Sequence, residues 1–113
     1  PRGVPPPDAE GWRRRAVGWL LDQCPADYRS YPVLQRHPVA LARLAALHVT
    51  AQVEAQRRAT ATVRADLRGQ VSAGVVDEVL EALDAEQARL LAAQRAVGLV
   101  EDALRGRRYV PRL

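Results

Sequence analysis

The residue types best suited to metal binding and nucleophilic catalysis are few in this chain and poorly spaced for either. The two histidines, His37 and His48, are 11 positions apart, whereas helical histidines that share a metal ion are about three or four positions apart. Cys24 is the only cysteine, which excludes an intramolecular disulfide bond and a zinc site with two cysteines from one chain. No histidine is placed to activate it, so we expect no metal site and a buried, unreactive thiol.

Carboxylates are more numerous, and a pair of them could act as general acid and base. Five lie close together in the last third of the chain: Asp77, Glu78, Glu81, Asp84 and Glu86. On a helix this spacing predicts a solvated acidic face rather than a paired active site. The chain also lacks a P-loop, a dinucleotide-binding fingerprint and a Gly-x-Ser-x-Gly motif. We therefore expect no enzymatic activity and no cofactor.

Arginine is the residue type with the clearest capacity to bind a charged ligand. All 17 basic residues are arginine, against 13 acids, so the net charge is +4 and the pI is about 10.2. Codon usage in a G+C-rich genome and selection for arginine chemistry are two open explanations of this composition, and guanidinium groups bind phosphates in either case. Interspersed acids and the absence of helix-turn-helix spacing make nucleic-acid binding an alternative hypothesis. Its candidate contacts are Arg57, Arg58, Arg64, Arg68, Arg105, Arg107 and Arg108.

Four large aromatic side chains precede the longest helical pattern: Trp12, Trp19, Tyr28 and Tyr31. Two interpretations of them stay open. They either anchor the core at one end of the fold or form a hot spot for a protein partner.

Prolines and glycines divide the chain into the elements that must position these residues. Helices are predicted over residues 9–23, 38–68 and 73–105. A proline-rich lead at 1–7 is expected to be flexible, and 107–113 form a basic tail. The sequence therefore predicts an all-α fold, with a single helical domain from residue 8 to residue 106.

The two long helices are joined by a turn so short that they must be antiparallel neighbours. Their apolar residues recur in alternating steps of four and three, the period of a coiled coil. When the two apolar seams are aligned about the turn, Val53 lies opposite Leu90 and Gln56 lies opposite Gln87. We therefore predict a long, coiled-coil-like hairpin in which the two glutamines meet in one layer.

The two arms of this hairpin carry opposite charge. Residues 38–69 contain five arginines and two acids, which gives +3, and residues 71–104 contain two arginines and seven acids, which gives −5. We expect a modest attraction between the arms, since each surface ion pair contributes little.

The first helix is too short to cover the whole hairpin. With about 15 residues it can pack on the open end, but it cannot reach the turn. Val71, Val75 and Val79 near the turn are then left uncovered, and an apolar surface of this kind is often an interface. We therefore predict a non-catalytic helical module for protein interaction or regulation, and a homodimer with a four-helix arrangement would bury the surface.

The predicted partner is thus a protein or a second copy of the chain, with nucleic acid as the alternative. Candidate partner-binding residues are Trp12, Trp19, Tyr28, Tyr31, Val75 and Val79. The chain has no apolar stretch of 18 residues and no signal-peptide core, so we expect a cytoplasmic protein with no membrane partner. No pattern indicates a small-molecule substrate.

Overall fold

The computed structural model describes residues 9–106, which are almost entirely helical. In chain order the elements are helix α1 (Ala9–Asp22), a 3-10 helix (Ala26–Ser30) and helices α2 (Pro32–Arg36), α3 (Pro38–Leu67) and α4 (Ala73–Leu104). The predicted all-α hairpin with a short N-terminal helix is confirmed. The three longer helices end within one residue of the expected positions. The expected lead at 1–7 and tail at 107–113 lie outside the described residues.

The ends of the hairpin arms follow from local backbone chemistry. Pro38 is the first residue of α3. A backbone N–H at this position would have no hydrogen-bond partner within the helix, so the helix loses no bond when proline occupies it. Gly69 follows α3 with a φ of 77°, a left-handed conformation that strains any residue with a Cβ. The hydroxyl of Ser72 then accepts a hydrogen bond from the backbone N–H of Val75 at 3.3 Å, which caps α4.

Helices α3 and α4 pack together along their length, and their contacts agree with the expected register. Val53 and Leu90, which the alignment places opposite each other, are both buried. The Gln94 amide donates to the hydroxyl of Thr50 at 3.1 Å across the two arms. In the expected register Thr50 faces position 93, one residue away, so this bond fits the alignment.

The two glutamines of the predicted layer do not form a hydrogen bond with each other. The amide of Gln56 crosses the interface, but it donates to the backbone oxygen of Leu83 at 3.3 Å instead of to Gln87. The Oε1 atom of Gln87 is buried and has no hydrogen-bond partner among the described residues. Leu83 lies one helical turn before Gln87, so the two glutamines occupy the same region of the hairpin without bonding each other.

The opposite charges of the arms produce little direct pairing. Within residues 9–106 one ion pair joins α3 to α4, between Arg43 and Glu101 at 3.3 Å. The ion pair of Arg57 with Glu54 lies within α3. The ion pair of Arg105 with Glu101 joins α4 to the residue that follows it. The net attraction between the arms is therefore a diffuse effect.

The main core lies at the open end of the hairpin, where α1 packs on both arms. Its buried members are Leu20, Leu21, Leu41, Ala42, Ala45, Val49 and Val97. Much of this set is alanine and valine, so the helices approach closely and bury little area per residue. No described helix is both long enough and apolar enough to cross a membrane.

Candidate functional site

The side of the hairpin that α1 covers continues, uncovered, to the turn. An α-helix completes five turns in 18 residues, so residues 18 positions apart lie on the same line of the helix. On α4, residues of the core or packed against it are Ala93, Val97 and Val100. Eighteen positions earlier, about 27 Å nearer the turn, stand Val75, Val79 and Ala82.

Helix α3 repeats the same arrangement. Leu41 and Ala45 are fully buried in the core at the open end. The residues 18 positions later are Ala59 and Val63, which lie on the same face of α3 near the turn. We call the uncovered apolar group the tip surface, formed by Ala59, Val63, Val71, Val75, Val79 and Ala82.

The residues of the tip surface differ in exposed fraction from the core residues that occupy the same face at the open end. Val97 is 0% exposed in the core at the open end, whereas Val75 on the same helix and Val71 in the turn are each 41% exposed, and Val63 and Val79 are half-buried. Helix α1 has 14 residues, or about 21 Å, against the 30 residues, or about 45 Å, of α3. The shortness of α1 thus leaves Val71 and Val75 exposed, whereas Val79, which the sequence also predicts to be uncovered, is half-buried.

The structure does not bring the aromatic candidates to the tip surface. Trp19 and Tyr28 are half-buried and pack against the core at the open end. Trp12 is 37% exposed and Tyr31 is 52% exposed. Two aromatic residues therefore anchor the core and two are available at the surface, far along the hairpin from Val75.

The arginines of the nucleic-acid hypothesis fall into separate environments. Arg105 is bonded to Glu101 through two guanidinium nitrogens, at 3.0 and 3.2 Å. Arg57 pairs with Glu54, and Arg58 is exposed on a different face of α3. Arg107 and Arg108 lie outside the described residues.

Arg64 and Arg68 share one location near the turn. Both line a cavity of about 330 Å³ whose other walls include Val71, Val76 and Asp77. An acid thus stands beside the two guanidinium groups, and their positive field is reduced.

A second group of arginines surrounds a cleft beside α1. This arginine cleft has a volume of about 510 Å³ and is lined by Arg13, Arg14, Arg29 and Arg36. The four come from α1, the 3-10 helix and α2. The run of three arginines at 13–15 indicates possible phosphate contacts on α1, but residue spacing does not predict the cleft, because only the tertiary fold brings Arg29 and Arg36 to the flank of α1.

The remaining candidates for chemistry are Cys24 and the side chains that could hold a metal ion. Cys24 is a half-buried free thiol beside the core, and burial raises its pKa above the ordinary value for a thiol. The guanidinium group of Arg29 forms its ion pair with Asp22 and not with this thiol. No group of three or more histidine, cysteine, aspartate or glutamate residues suited to a metal ion occurs among residues 9–106.

Comparison with known proteins adds no relative. The chain matches no protein-family model, and no curated protein or solved structure is significantly similar to it.

Proposed function

We propose that this chain is a non-catalytic helical interaction module that associates with a second copy of itself through the tip surface. One observation carries the proposal. The apolar positions that α1 buries at the open end recur five helical turns away, where no described element lies over them. A surface built like a core but left open is the expected form of an interface between subunits.

Helix α1 covers only the open end of the hairpin, and the resulting shape favours a second copy of the chain as the partner that covers the tip surface. Helix α1 adds a layer about 10 Å thick over the open end, so a flat partner could not lie along the whole hairpin. A second hairpin pointing the opposite way would place its own uncovered half over the tip surface. The two α1 helices would then flank a central four-helix layer, and the contact would be a closed two-fold dimer.

The size of the tip surface sets the expected strength of this dimer. From Val49, the last core residue of α3, to Leu67 the arm extends 18 residues, or about 27 Å. Two helices side by side are about 20 Å wide, so the area is roughly 500 Å² per copy, below the ~800 Å² of a standard interface. We therefore expect a dimer that dissociates at micromolar concentrations.

Sedimentation velocity over a concentration series tests the proposal. The unmodified chain is expected to shift from monomer to dimer as concentration rises, and Val75→Glu is expected to remain a monomer, because each interface would bury two unpaired carboxylates. Leu99→Glu is the matched control, since Leu99 is on the same helix and is 61% exposed, away from the tip surface. A chain that is monomeric at all concentrations, or a dimer that Val75→Glu leaves intact, would contradict the proposal.

The alternative function is binding of nucleic acid through arginine–phosphate contacts. Its support is the position of Arg57, Arg64 and Arg68, which lie on one flank of α3 at intervals of seven and four residues. A gel shift that weakens steeply with salt and is lost in Arg64→Gln with Arg68→Gln would favour it over self-association. The absence of enzymatic activity and a cytoplasmic location also remain predictions.

A further inference from the structure

The arginine cleft concentrates positive charge that the described part of the chain leaves largely unneutralised. Of its four arginines, Arg29 forms an ion pair with Asp22. Within residues 9–106, Arg13, Arg14 and Arg36 form no ion pair with a carboxylate. Glu10 is the single acid in the lining. Holding like charges around one cleft is unfavourable, and a bound anion would relieve it.

The floor of the arginine cleft is apolar. Its lining includes Val17, Gly18, Leu21 and Pro38, which are buried or half-buried, whereas the four arginines are exposed. A Cβ atom added at Gly18 would meet nothing within 4 Å, so the space above this glycine is open. At about 510 Å³ the cleft lies within the range of small-molecule sites, and it is larger than a bare phosphate requires.

Guanidinium groups from three different elements suit a ligand with several oxygen atoms and more than one charge. Arginine binds phosphate oxygens through paired N–H donors, and a phosphomonoester dianion offers three such oxygens. An apolar floor adds affinity for an organic group that the phosphate carries. Both properties occur together in a phosphomonoester with an aromatic or aliphatic substituent.

We infer that the arginine cleft is a binding site for an organic phosphomonoester, with Arg13, Arg14 and Arg36 holding the phosphate and the floor holding its apolar group. Asp22 competes with the ligand for Arg29. The site is at the open end of the hairpin, so it is independent of pairing at the tip surface.

Calorimetric titration with phenyl phosphate, and separately with inorganic phosphate, tests this site. Phenyl phosphate is expected to bind more tightly, because inorganic phosphate leaves the apolar floor unused. Arg36→Gln is expected to weaken binding of phenyl phosphate by about tenfold, the effect of losing one charge-assisted hydrogen bond. Asp22→Asn is expected to tighten binding several-fold, because it releases Arg29 to the ligand.

Arg58→Gln serves as the control, since it removes the same charge from an exposed position on α3 outside the cleft lining. It is expected to change the affinity less than twofold, roughly the effect of a distant screened charge. Equal losses of affinity in Arg36→Gln and Arg58→Gln would show that binding depends on general charge attraction, and this result would overturn the assignment. Asp22→Asn binding no more tightly than the unmodified chain, or no measurable binding of phenyl phosphate, would also overturn it. Circular dichroism of each variant shows whether the helices are intact.

Discussion

Glu101 is the buried charged residue among residues 9–106, and its surroundings explain why an acid occurs in an apolar seam. The side chain bonds to Arg43 of α3 at 3.3 Å and to Arg105 at the end of its own helix. An isolated carboxylate at this position would be costly, and two guanidinium groups offset that cost. Arg105 therefore has a structural role in the fold, which argues against its assignment as a phosphate contact.

Cys24 offers a test of local structure at the scale of a single residue, because it is the only thiol in the chain. Burial raises its pKa, so less of the reactive thiolate is present at a given pH than in an unfolded chain. We expect iodoacetamide to alkylate folded Cys24 several-fold more slowly at pH 8 than the same residue in guanidinium chloride. The folded rate should continue to rise at pH values where the unfolded rate has levelled off. Mass spectrometry follows the reaction, and equal rates in the two states would contradict the burial of this thiol.

The two glutamines illustrate how far side-chain predictions from sequence extend. The seam pattern places Gln56 and Gln87 in the interface of the hairpin, and both are half-buried there. The pattern cannot tell which acceptor Gln56 will use, because backbone oxygens are as near as the facing side chain. The bond to Leu83 depends on side-chain rotamers and the spacing of the helices, and neither follows from residue spacing alone.

At the scale of elements, two glycines with opposite backbone requirements give a paired prediction. Gly98 is inside α4 with open space at its Cβ position, whereas Gly69 follows α3 with a φ of 77°. Gly98→Ala is expected to raise the free energy of unfolding by about 1 kcal/mol, because alanine is the better helix former. Gly69→Ala is expected to lower it by about 1 kcal/mol, because a Cβ is strained in the left-handed region. Urea denaturation measures both, and a shift of the same sign in the two variants would contradict this account of the helix ends.

The long helices and the hairpin are predictable from sequence because their signals are local. Pro38, Gly69 and Ser72 mark the ends, and a single seam period runs through each arm. The uncovered tip also follows from element lengths, and the apolar positions that repeat 18 residues apart would have identified it more directly. The arginine cleft was not predictable in this way, because it depends on the path of the chain between Pro25 and Pro38. That segment folds into a 3-10 helix and α2, and it sets where Arg29 and Arg36 lie.

At the scale of the whole molecule, stability is distributed unevenly along the hairpin. The open end has three helices and the main core, while the half near the turn has two helices whose buried seam residues include Val53, Val76 and Leu90. Two helices alone bury little area, particularly when alanine and valine dominate. The half near the turn should therefore open locally before the core does, unless a second copy covers it.

This unevenness links the proposed dimer to thermal stability. A partner that binds the folded state alone raises the unfolding temperature in proportion to the logarithm of its concentration, so the Tm of this chain should rise with protein concentration. When the concentration of free folded chain is 100 times the dissociation constant, association stabilises the folded state by about 2.7 kcal/mol, which raises the Tm by roughly 10 °C for a domain of this size. Differential scanning calorimetry across such a series is expected to show the rise for the unmodified chain and for Leu99→Glu. Val75→Glu is expected to show a Tm independent of concentration. A Tm that stays constant for the unmodified chain would mean that the tip surface remains exposed in solution and that self-association is not its role.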